Sequence, residues 1–84
     1  MMPIEHAAVF LLLIGQEKGQ KIIALMDTRE IQAIIPVLRR LQEVSPHVQQ
    51  LVWEQFKNLG YEAGMNPAEL LTLIRFSLDG SKVN

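Results

Sequence analysis

Few residues of this 84-residue chain are of types that do chemistry, and their spacing does not suit it. His6 and His47 are the only histidines, and neither has a second ligand at helical spacing, so no metal site is expected. There is no cysteine, which excludes disulfides and thiolate metal sites. Asp27 and Glu30 could pass for the paired carboxylates of an acid–base catalyst. Asp27-Thr-Arg-Glu30 is, however, the pattern of a helix capping box, and capping explains both acids. Glu17 and Lys21 stand four apart, as an ion pair on a solvated helix face worth a few tenths of a kcal/mol. Arg39-Arg40 is the one adjacent basic pair; it can meet acidic residues of a partner or simply end a helix in water. No glycine-rich phosphate loop and no nucleophile–base pairing is present. The chain therefore reads as a non-enzyme without cofactor or metal.

Composition narrows the class further. Eight Lys+Arg against nine Asp+Glu give a net charge of -1, without the basic stripe that nucleic-acid binding uses. A 49% hydrophobic share suits a globular fold. This length makes one domain, with stability on the order of 4–13 kcal/mol. The longest apolar run, Ala7 to Ile14, is far short of the ~20 residues that cross a bilayer. Glu5 and His6 precede it where a signal peptide carries Lys or Arg, and no small-residue cleavage pattern follows. A soluble, cytoplasmic protein is expected.

Strand signals are nearly absent and helix punctuation is dense, so the fold is expected to be all-α: a compact bundle of about five short helices. Pro3 opens the first helix, which carries the apolar run and stops at Gly15. The second spans about Gln16 to Met26, with Gly19 inside it at a cost of ~1 kcal/mol unless close packing needs the missing side chain. The third runs from Thr28 to Gln42, with Pro36 in the middle predicting a kink or a split. Ser45-Pro46 caps a fourth helix that ends near Leu59 before Gly60. Asn66-Pro67-Ala68-Glu69 starts a fifth that reaches about Leu78 and is closed by Asp79-Gly80. Residues 81–84 are expected to fray.

Within these helices the apolar residues outnumber what one buried face needs. At about 100° per residue the run from Ala7 covers every side of the first helix, so part of its cover is expected from another chain. On the fourth helix Val48, Leu51, Val52, Phe56 and Leu59 form the core arc. Trp53 lies about 120° from its centre, either folded over the core's edge or serving as a partner anchor. On the fifth, Leu70, Leu71, Ile74 and Leu78 make one face, and Leu73 and Phe76 a second ridge. That ridge is either covered by the stretch 60–65 with Tyr61, or left for a neighbour.

The order of these features resembles the N-terminal domain of the flagellar motor switch protein FliG. The resemblance rests on Leu13-Ile14-Gly15-Gln16-Glu17-Lys18, Asp27-Thr28-Arg29-Glu30-Ile31, Val44-Ser45-Pro46, Glu54-Gln55-Phe56 and the segment Asn66-Pro67-Ala68-Glu69-Leu70-Leu71 to Leu78-Asp79-Gly80. It covers about residues 7 to 80. Pro36 departs from a helix that is normally uninterrupted, and Gly19 stands where the family often has Ala. The family continues into middle and C-terminal domains, and the torque-transmitting charges of the last are not in this sequence.

What the resemblance implies is a scaffold without catalysis. In the family this domain binds the cytoplasmic C-terminal tail of the membrane-ring protein FliF and contacts neighbouring copies in a ring. It would thereby sit in the cytoplasm, beside the inner membrane, held there by its partner. A helical tail would lay its apolar face in a groove between helices. The residues expected to serve such partners are Phe10, Leu13, Ile14, Ile23, Val37, Leu38, Trp53, Leu73 and Phe76, with homo-oligomer contacts through the C-terminal helix. Two other readings compete. One is a regulatory domain similar to the N domain of MgtE-type magnesium transporters, although there is no acidic cluster for a divalent ion. The other is a small helical DNA-binding regulator, for which the helix after Asp27 offers only Arg29, Arg39 and Arg40.

Overall fold

Capping residues divide the chain. The computed structural model describes residues 2–41 and 43–79, and its five helices are α1 (Pro3–Leu13), α2 (Gln16–Leu25), α3 (Thr28–Arg40), α4 (Pro46–Asn58) and α5 (Pro67–Asp79). Gln42, Gly80 and the tail 81–84, all subjects of the expectations above, lie outside the described residues. At the start of α3 the Glu30 backbone N–H donates to Asp27 Oδ1 at 2.8 Å, and the Asp27 N–H donates to Glu30 Oε1 at 2.9 Å. Asn66 and Glu69 repeat that reciprocal pair at 2.8 and 3.0 Å before α5. Ser45 Oγ accepts from the Val48 N–H at 3.2 Å before α4. Each device satisfies donors that a helix start leaves open.

Two expected boundaries shift. α2 ends at Leu25, and Met26, its extended C-cap, is buried. Pro36 does not split α3, which is one helix from Thr28 to Arg40. Pro36 and Gln32, the residue four before it, are both exposed, so the carbonyl that proline leaves without a donor can face water.

The first helix is the centre of the domain. α2, α3, α4 and α5 all pack against α1, and Ala7, Ala8, Val9, Phe10 and Leu11 are buried. This chain thus covers the run from Ala7 to Leu11 itself, whereas Leu12 is 48% exposed and Leu13 and Ile14 are half-buried. The four helices close around α1 within a body measuring 30 × 29 × 28 Å. The α4 end of this core is aromatic. Phe10 stacks on Phe56 at 3.8 Å and 5°, and Trp53 and Tyr61 meet Phe10 edge-on at 6.0 and 5.6 Å.

A turn of the backbone delivers Tyr61 to that cluster. Gly60 has a φ of 111°, a region that favours glycine. Its N–H donates to the Lys57 carbonyl at 3.0 Å, while the Tyr61 N–H donates to the Phe56 carbonyl at 2.9 Å. This is the paired closure of a Schellman ending.

Candidate protein-docking surface

The sequence-predicted partner residues fall into three groups in space. Phe10, Val37 and Leu73 are buried in the core; as direct partner contacts they are corrected, because meeting a partner would require the domain to open. Leu13, Ile14, Ile23, Leu38 and Trp53 are half-buried against that core. Phe76 alone stands out, with 60% of its surface in solvent.

Trp53 belongs to the edge of the aromatic cluster, 5.5 Å from Tyr61 and 6.0 Å from Phe10 between ring centres. The turn of α4 explains a related correction: Leu51, expected in the core arc, is 49% exposed, while Trp53 takes the position beside Phe10. On α5 the first predicted ridge goes inward together with Leu73 of the second, since Leu70, Leu71, Leu73 and Ile74 are buried and Leu78 is packed against them. Only Phe76 of the second ridge remains outside.

A groove brings part of the set together. Leu11 and Leu12 of α1, Ile23 of α2 and Leu38 of α3 line a cavity of about 340 Å³ with Gly15, Gln16, Gly19 and Gln20. Sequence reasoning found Ile23 and Leu38 but missed Leu12, which is 48% exposed. Leu12 follows Val9 at a three-residue step, on the same side of α1.

Two glycines shape the groove. Gly15 caps α2 at φ 97°, which turns the chain sharply from α1 into α2. At buried Gly19 an added Cβ would come within 3.2 Å of the Leu11 carbonyl oxygen, so the missing side chain lets α2 lie close on α1. The helix-propensity cost noted above is thereby offset by packing.

Charge is concentrated elsewhere. Arg75 of α5 grips Glu30 with two hydrogen bonds of 2.8 Å, Nε to Oε2 and Nη2 to Oε1. These bonds from Arg75 are the main reason the Glu30 carboxyl is lowered from 4.5 to about 2, and the Asp27 N–H adds to them. Glu30 thus caps α3 and ties it to α5, a structural task that leaves no free acid. Among the described residues no group of three or more His, Asp or Glu could hold a metal ion. No described helix is long and apolar enough to cross a membrane.

An all-helical domain with a capped third helix and a glycine junction after α1 fits the resemblance. The family model of the FliG N-terminal domain matches residues 1–71. The chain belongs to that family. No curated protein and no solved structure matches it. FliG N-terminal domains are protein-interaction domains of the flagellar switch, so this domain's partners are proteins of the flagellar motor. The matched residues include every residue of the groove.

Proposed function

We propose that this FliG-type domain is a non-enzymatic adaptor of a flagellar, or related secretion, basal body, which binds the cytoplasmic tail of a FliF-like membrane-ring protein. It is cytoplasmic on this reading, held at the inner membrane through its partner. The observation that carries the proposal is the groove of Leu11, Leu12, Ile23 and Leu38. A helix seated there would cover the exposed face of Leu12 and the half-exposed Ile23 and Leu38. Leu13 and Ile14, half-buried at the same end of α1, would border that helix. Grooves of this kind take an amphipathic helix through apolar anchors at i, i+3, i+4 and i+7. The family assignment favours this reading over the magnesium-sensor and DNA-binding ones.

Phe76 supports a second contact. A phenyl ring this exposed on α5 offers a neighbouring copy an anchor, consistent with assembly through the C-terminal helix.

Co-expression with the membrane-ring tail of the same organism, followed by size-exclusion chromatography, tests the main proposal. Co-migration is expected, and it should be lost in Leu12→Asp. A tail that elutes separately from the folded wild-type chain refutes the adaptor assignment.

A further inference from the structure

A second apolar hollow lies on the same side of α1 as the groove. Val9, Leu41, Val44 and Val48 line a notch of about 330 Å³ whose lining also includes Glu5 and Glu43. Glu5, Val9 and Leu12 stand at i, i+4 and i+7, one side of α1, so the notch and the groove follow one another along a single stripe. The same end of α3 borders both, with Leu38 on the groove and Leu41 on the notch. A ligand segment lying along this side of α1 would reach both by passing over Val9, which is itself buried.

The two hollows differ in charge. No charged residue lines the groove, whereas the notch has two carboxylates and no cation. Glu43 is exposed and makes no hydrogen bond or ion pair with another described residue. Glu5 uses Oε1 to accept from the Met2 N–H at 2.9 Å, which leaves Oε2 free to accept. Arg40, next to Leu41, is exposed and is not part of the lining, and neither are His6 and His47, which adjoin Glu5 and Val48. An aliphatic floor beneath carboxylates suits a side chain with an apolar stem and a positive head, which is lysine or arginine.

We infer that the notch receives a lysine or arginine of the same helical tail whose apolar face fills the groove. The inference rests on the tail-binding reading above and adds the chemistry of the partner: apolar anchors followed by a basic residue. The basic head gives register and direction, since the tail laid in reverse would place its cation over the uncharged groove.

Calorimetric titration of the synthetic tail peptide into the wild-type chain, Glu5→Gln, Glu43→Gln and Glu43→Lys tests it, at low and at raised salt. Glu5→Gln keeps an acceptor for the Met2 N–H, and Glu43 contributes no internal bond, so all three variants should melt close to wild type. Binding should weaken ~10-fold or more in Glu43→Lys and ~3-fold in each glutamine variant, with a flatter salt dependence. A peptide whose basic residues are replaced by glutamine should lose affinity by a similar factor, and the two losses should not add. Wild-type affinity in all three variants, beside loss in Leu12→Asp, overturns this inference and spares the tail-binding reading. Self-association of the chain abolished by Glu43→Lys, with tail affinity unchanged, also overturns it, in favour of a second copy. A peptide that does not bind the wild-type chain overturns both.

Discussion

The two sides of α1 solve opposite problems with neighbouring residues. Toward α4, Phe10 is sealed by Phe56, Trp53 and Tyr61, with rings 3.8 to 6.0 Å apart. Toward α2, Gly15 and Gly19 remove side chains, and the space above Leu11 and Leu12 remains as a groove of about 340 Å³. One side uses bulk to fill space and the other uses its absence to keep a surface open. Sequence patterning gives both sides the same apolar appearance. Stability should therefore be concentrated on the aromatic side and partner affinity on the glycine side, and substitutions can separate the two.

The largest effect is expected from Phe10→Ala. Removing a buried ring that touches three others should cost about 3–5 kcal/mol in urea unfolding, a large fraction of a small domain's stability. A loss under about 1 kcal/mol would mean that the aromatic side is not the structural one. Trp53→Ala should cost less, about 1–3 kcal/mol, because Trp53 is only half-buried and contributes edge contacts. Its tail affinity should equal wild type; a collapse of binding with an unchanged melting curve would return Trp53 to the role of partner anchor. Leu12→Asp reverses that pattern: tail binding should weaken at least ~10-fold, equivalent to about 1.4 kcal/mol, while the melting temperature moves little. Equal losses in binding and stability would erase the distinction between the two sides.

The smallest effect concerns the α3–α5 clamp, which belongs to neither side. Arg75 holds the Glu30 carboxyl at about 2, below its ordinary 4.5. A depressed acid contributes stability above its unfolded-state value and loses it as pH falls toward the folded-state value. Arg75→Gln should therefore lower the melting temperature slightly at neutral pH, with Arg75 itself half in solvent. The gap from wild type should shrink between pH 4.5 and 2. A constant gap across that range would show that Arg75 acts through packing rather than charge.

Local signals in the sequence were read well where the chemistry is itself local. The Asp27–Glu30 box, the Ser45-Pro46 start and the Asn66–Glu69 pair place the starts of α3, α4 and α5, because caps act within four residues. At Pro36 the sequence left a kink or a split open, and only the structure, with Pro36 and Gln32 both exposed, shows one continuous helix. The candidate site was half legible. Ile23 and Leu38 line the groove, whereas Phe10, Val37 and Leu73 are in the core and Leu12 was overlooked.

The sequence by itself determined that this chain is helical, where its helices start, and that it carries more apolar residues than a single stripe per helix needs. Tertiary structure alone decided which of them face water. Leu51 turns outward, Trp53 lies over the core's edge, Leu73 turns inward, and Phe76 stays outside. The physical reason is that a helix with apolar residues on several sides has no preferred orientation of its own. Only the order in which four helices close around α1, limited by aromatic bulk on one side and glycine on the other, selects it.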